Sequence, residues 1–73
     1  MPATLTSCVA AEVRAGLARN RRTQSQLAVH LGVSQATVAR RLAGIAPFDV
    51  AELEAIAAFL DVPVGSLLTR GAA

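Results

Sequence analysis

The sequence predicts an all-α fold: one five-helix domain over residues 1–73, with its core at about 7–68, that contains a helix-turn-helix. The chain is 53% hydrophobic but only 3% aromatic, so Ala, Val, Leu and Ile must form the core. Apolar residues recur at helical spacings of three and four. Residues 23–44, TQSQLAVHLGVSQATVARRLAG, have the capping residues and the central glycine of two short helices joined by a tight corner.

The first helix is predicted over about residues 7–19. Its core-facing stripe has a spacing of four residues and consists of Leu5, Val9, Val13 and Leu17. Thr6 or Ser7 is the candidate cap, although neither has the complete capping-box pattern. Residues 1–4 and 69–73 are expected to be disordered or frayed.

The second helix, over residues 24–31, begins with a clear local signal. Thr23 is a good N-cap residue, and Gln26 follows three positions later, which is the spacing of a capping box. Gly32 can adopt the left-handed conformation that ends a helix. These signals predict a helix of about two turns followed by a sharp corner.

The third helix is predicted over residues 35–43, with Ser34 as its cap. Val38 and Leu42 are four residues apart and should anchor it to the second helix. The opposite face has side chains suited to reading base edges in the major groove: Gln35, Ala36, Thr37 and Arg40. A polar face of this kind is also typical of any solvated amphipathic helix, so the surrounding features must decide between the two interpretations.

The fourth helix is predicted after Asp49, which is followed by Glu52 at capping-box spacing, with Phe48 and Leu53 as a hydrophobic staple. Its core stripe consists of Leu53, Ile56, Ala57 and Leu60. A short fifth helix is predicted from Pro63 through Leu68.

Charge is distributed unevenly along the chain. Residues 1–47 have six Arg against Glu12, a net charge of +5, and residues 48–73 have Arg70 against four carboxylates, a net charge of −3. The basic half coincides with the helix-turn-helix, as a phosphate-binding face requires. The candidate phosphate contacts are Arg19, Arg21, Arg22, Thr23, Gln24, Ser34 and Arg41. Arginines at the end of a helix also oppose its macrodipole, which is a simpler explanation for the first three.

Several function classes are not supported by the sequence. It has no apolar run of about 18 residues and no signal-peptide pattern, so we expect a cytoplasmic protein that does not span a membrane. The single Cys8 excludes an internal disulfide, and with only one His in the chain, His30, it cannot make a metal site. No nucleophile lies near a general base, and the glycines are scattered. We therefore expect no enzyme activity, catalytic residue, metal or cofactor.

The residues quoted above, together with PFDVAELEAIAAFLDVPVGSLL over residues 47–68, resemble the lambda-repressor-like helix-turn-helix domains of Cro/XRE type found in phage repressors and bacterial regulators. The resemblance covers about residues 7–68. It implies that Gln24 holds the DNA backbone and supports Gln35, and that base readers lie at Gln35, Ala36, Thr37 and Arg40. Arg41 occupies a position that is usually apolar in the family. Two orientations of its side chain are therefore open: it points to a phosphate, or its stem lies along the core.

The leading hypothesis is a sequence-specific regulator of transcription, a repressor that binds a palindromic double-stranded operator as a homodimer. Two copies about 34 Å apart would read both half-sites, with no small-molecule effector. The candidate dimer contacts are Val64, Leu67 and Leu68. The alternative is a protein-interaction or antitoxin-like module that does not read bases. The chain could also be part of a longer repressor that dimerises elsewhere.

Overall fold

Four α-helices and one 3₁₀ helix make up the computed structural model, which describes residues 4–68. They are α1 (Leu5–Arg19), α2 (Gln24–Leu31), α3 (Gln35–Leu42), α4 (Val50–Leu60) and the 3₁₀ helix Val64–Leu67. The described residues contain no strand, so the all-α prediction is confirmed for them. No helix in this range is long and apolar enough to cross a membrane.

The fifth element differs from its prediction. It is a four-residue 3₁₀ helix instead of an α-helix, so residues 4–68 contain four α-helices, not five. The amide N–H and the hydroxyl of Ser66 both donate to the Pro63 carbonyl, at 3.0 and 2.7 Å. This three-residue spacing favours the tighter helix, and one turn has no room to propagate α-helical hydrogen bonds.

The start of α1 was predicted two residues too late. Thr4 is the cap, and its Oγ1 accepts from the Ser7 amide at 3.1 Å while Ser7 Oγ accepts from the Thr4 amide at 3.1 Å. Serine thus fills the position that Glu or Gln takes in the usual capping box, which explains why the sequence pattern was missed. Residues 1–3 and the predicted frayed end at 69–73 lie outside the described residues.

One apolar core joins all the elements. It contains Val9, Val13, Leu17, Leu27, Ala28, Val38, Leu42, Leu53, Ile56, Ala57, Leu60 and Leu67. The predicted stripe of α4 is confirmed in full, and the stripe of α1 is confirmed except at Leu5, which is exposed. Helix α2 packs on both α3 and α4, and α1 contacts α3, α4 and the 3₁₀ helix.

All four α-helices end with the same turn. In each, a residue with positive φ donates its amide N–H to the carbonyl three residues earlier. The amide of the following residue donates to the carbonyl five residues before it, so carbonyl groups of the last turn are satisfied. The positive-φ residues are Arg21, Gly32, Gly44 and Asp61, and the second bonds are Arg22 to Leu17, Val33 to Ala28, Ile45 to Arg40 and Val62 to Ala57. Two of these four positions therefore carry a side chain where glycine is usual.

Candidate nucleic-acid interface

The corner between α2 and α3 is built from local hydrogen bonds. Thr23 Oγ1 accepts from the Gln26 amide at 3.1 Å, and Gln26 Oε1 accepts from the Thr23 amide at 2.8 Å, which confirms the capping box. Gly32 is left-handed at φ 70°, as predicted. These contacts set where α2 begins and ends, and therefore the angle at which α3 leaves the corner.

The N-terminus of α3 is capped by Ser34, as predicted. Its Oγ accepts from the Thr37 amide at 3.1 Å and lies 2.9 Å from Thr37 Oγ1, to which the Ser34 hydroxyl donates. The Thr37 side chain is half-buried and its hydroxyl is engaged within the cap. Its methyl group is the part that remains for an apolar contact with a base.

The other candidate base readers of α3 are exposed. Gln35 and Ala36 lie in the first turn, and Arg40 lies one turn beyond Ala36 on the same side of the helix. Val38 and Leu42 are buried on the other side. Helix α3 therefore presents a face of Gln, Ala and Arg to solvent while it is anchored through two apolar side chains.

A groove runs beside α3, between the end of α1 and the start of α2. Its volume is about 360 Å³, and it is lined by Arg14, Leu17, Ala18, Arg22, Thr23, Gln24 and Leu42. Three predicted phosphate contacts, Arg22, Thr23 and Gln24, are thus brought together. Arg14 lies with them although the sequence analysis did not select it. The groove combines the Arg22 guanidinium with the N-terminus of α2, a combination that attracts anions, while the Arg14 guanidinium donates to the Leu42 carbonyl.

Arg22 contacts one aromatic ring, that of Phe59. The guanidinium carbon of Arg22 lies 5.2 Å from the centroid of the Phe59 ring, within the range of a cation–π interaction. The same ring lies 4.7 Å from that of His30, whose Nε2 is 3.1 Å from the Ala55 carbonyl oxygen. Phe59 was missed from the sequence because the residues that it contacts come from other parts of the chain.

Arg41 lies against α4. Its Nη1 donates to Glu52 Oε2 and forms an ion pair, while Arg14 donates from α1 to the Leu42 carbonyl at the end of α3. Arg41 is half-buried, whereas the other arginines of residues 4–68 are exposed. The predicted phosphate set therefore divides into exposed arginines, the polar caps of α2 and α3, and Arg41, whose charge is already paired.

Comparison with protein families identifies this arrangement. A family model for the helix-turn-helix matches residues 13–67, which include the corner, α3, all of α4 and the 3₁₀ helix. The chain belongs to the helix-turn-helix family. The match is of the Cro/XRE type, so this helix-turn-helix domain is a DNA-binding regulator, and double-stranded DNA is its partner. Searches of curated proteins and of solved structures gave no match.

The three predicted dimer contacts of this helix-turn-helix domain differ in their exposure to solvent. Val64 and Leu68 are 40% and 44% exposed, but Leu67 is 2% exposed and belongs to the core. Leu68 also lines an apolar groove of about 120 Å³ with Leu5, Thr6, Val9, Pro47, Phe48 and Leu53. Within residues 4–68, no group of His, Cys, Asp or Glu is arranged to hold a metal ion.

Proposed function

We propose that this helix-turn-helix domain is a transcriptional repressor that binds a palindromic operator as a homodimer, with α3 in the major groove. The observation that carries the proposal is that Gln35, Ala36 and Arg40 of α3 are all exposed while Val38 and Leu42 anchor the helix in the core. Membership of the family shows DNA binding. We propose in addition that α3 reads bases, that two copies bind a palindrome and that binding represses transcription.

Base reading is assigned to Gln35, Ala36, Thr37 and Arg40. The Gln amide can pair with adenine, the Arg guanidinium with guanine, and the methyl groups of Ala and Thr can contact thymine. Exposure of Gln35, Ala36 and Arg40 supports this assignment. Thr37 is half-buried; its hydroxyl accepts from Ser34 and keeps its own O–H to donate, and its methyl group can contact a base.

Phosphate binding is assigned to exposed residues at the end of α1, in the connection to α2 and at the starts of α2 and α3: Arg19, Arg21, Arg22, Thr23, Gln24 and Ser34. The amides at the N-termini of α2 and α3 add donors of their own. The carboxylates of α4 and its cap, Asp49, Glu52 and Glu54, belong to a different element. This distribution favours one orientation on the duplex.

Dimerisation is assigned to the surface around Val64 and Leu68, both partly exposed. Leu67 is not part of this surface, because it is buried in the core of each copy. A single α3 of eight residues spans only a few base pairs. Two copies with their recognition helices about 34 Å apart would read both halves of a palindrome from one side. Occupation of a promoter in the cytoplasm would then repress transcription without an effector.

Selection from random double-stranded DNA at near-physiological salt tests the proposal. Enrichment of a palindrome with half-sites one helical turn apart is expected. Enrichment of a single unpaired half-site would contradict the homodimer, and enrichment of no motif would contradict sequence-specific reading.

A protein-interaction or antitoxin-like module is the second candidate. The observation that favours it is the apolar groove at Leu5, Phe48 and Leu68, whose lining contains no charged residue. This candidate predicts weak DNA binding that does not depend on sequence. The same selection experiment distinguishes it from the repressor.

A further inference from the structure

Helix α3 is anchored to the core along a narrow line. Its only buried side chains are Val38 and Leu42. Four residues correspond to about 400° of helical rotation, so these two side chains lie about 40° apart around the axis. Apolar contacts have no preferred direction. Because Val38 and Leu42 lie on nearly the same side of α3, they restrain rotation of the helix only weakly. Base reading requires a defined rotation.

Arg41 restrains the helix from the side of α4. The side chains of Arg41 and Glu52 are 24% and 14% exposed. Glu52 is itself fixed, because its Oε1 accepts from the Asp49 amide at 2.9 Å while its Oε2 accepts from Arg41. The carboxylate therefore caps α4 and holds α3 at once.

Arg14 restrains the helix from the side of α1. Its Nη1 donates to the carbonyl oxygen of Leu42, the last residue of α3. That carbonyl lies at the negative end of the helix dipole, where a cation is favourable. Helix α3 is thus held at its C-terminal end by directional hydrogen bonds from two different helices.

Stability alone does not explain the Arg41–Glu52 pair. Arg41 Nε is buried and has no hydrogen-bond partner among the described residues, which is unfavourable. Partly buried ion pairs contribute little net stability, and an apolar side chain of similar length would avoid the unpaired N–H. A directional contact, in contrast, selects one orientation among those that apolar packing permits.

We propose that Arg14 and the Arg41–Glu52 pair are positioning residues: they fix the orientation of α3 and thereby its base discrimination, without contacting DNA. The inference rests on the proposed sequence-specific function. It reassigns Arg41 from phosphate binding to the support of the recognition helix.

The test compares Arg41→Met, Glu52→Gln, the double variant of both, and Arg14→Met. Glutamine at 52 keeps an oxygen that can accept from the Asp49 amide, so the cap of α4 is retained. Arg19→Met is the matched control, because it removes an exposed arginine with the same substitution. Each protein is measured by circular dichroism for thermal stability. Binding is measured on the duplex selected by the wild type and on a shuffled duplex, over a range of salt concentrations.

The double variant gives the decisive result. It leaves no unpaired charge between α3 and α4, so its melting temperature should recover from the values of the two single variants. Its ratio of affinities for the selected and shuffled duplexes should nevertheless stay about tenfold below the wild-type ratio. This reduction is similar to the effect of one mismatched base pair in the binding site. Arg14→Met should lower the ratio in the same way. The salt dependence should be unchanged in both, whereas Arg19→Met should reduce the salt slope by about 0.9 per bound copy and keep the ratio.

Two results would overturn the inference while the proposed function stands. The first is a wild-type ratio of affinities for the selected and shuffled duplexes in both the folded double variant and Arg14→Met. The second is a salt slope that Arg41→Met reduces as much as Arg19→Met does. Failure of the wild type to select any motif would instead overturn the proposed function, and this inference with it.

Discussion

Arg21 is the clearest point at which stability and DNA binding should oppose one another. It follows α1 and has a φ of 53°, a left-handed conformation that an L-residue adopts at a cost of roughly 1–2 kcal/mol. Glycine adopts it freely but loses more backbone entropy on folding, about 0.5–1 kcal/mol. Arg21→Gly should therefore increase the free energy of unfolding by roughly 0.5–1 kcal/mol.

Arg21→Ala provides the matched comparison, because it removes the same charge but keeps the left-handed penalty. We expect Arg21→Gly to melt above both Arg21→Ala and the wild type, by roughly 4–8 °C for each 1 kcal/mol. Both variants should bind all duplexes more weakly, with the salt slope reduced by about 0.9 per bound copy if Arg21 contacts a phosphate.

Asp61→Gly is the control for location. Asp61 has the same conformation, with φ 56°, at the end of α4. Glycine should stabilise the protein there as well, with an unchanged salt slope. Equal melting temperatures for Arg21→Gly and Arg21→Ala would refute the backbone argument. A wild-type salt slope in both would refute the phosphate contact and leave Arg21 as a helix-end residue.

Three further predictions concern single positions. Arg40→Ala should reduce discrimination by about 1–3 kcal/mol at one base pair per half-site in binding assays, because its exposed guanidinium is assigned to a guanine. Gly16→Ala should lower the melting temperature, because the new Cβ would lie 2.6 Å from Cδ1 of the buried Leu60. The expected cost of overpacking is about 1–3 kcal/mol, against a gain of about 1 kcal/mol from the higher helix propensity of alanine. Asp49→Ala should cost about 1 kcal/mol of unfolding free energy through loss of the α4 cap.

Each of these has a result that would contradict it. For Arg40→Ala, it is a base preference identical to wild type at every position. For Gly16→Ala, it is a higher melting temperature, which would mean that Leu60 moves aside without loss of packing. For Asp49→Ala, it is unchanged urea unfolding, which would mean that the helix end is stabilised by other groups.

The sequence by itself determined the helix starts and ends around the corner. Thr23, Gly32, Ser34 and Asp49 all have their predicted roles, because a cap is formed by atoms within three or four residues along the chain. The family follows from the same local pattern and matches residues 13–67. Thr4 was missed because its partner is a serine in place of the usual Glu or Gln.

Only the tertiary structure decided what lies beside α3. Arg14 meets the Leu42 carbonyl across 28 positions of sequence, and Arg41 meets Glu52 across 11. Leu67 enters the core while Leu68, its neighbour, stays exposed. Hydrophobic periodicity indicates which face of a helix is buried, but it does not indicate which neighbour a long arginine reaches. That choice depends on the packing of separate helices, because a flexible charged side chain goes wherever the assembled fold places an acceptor.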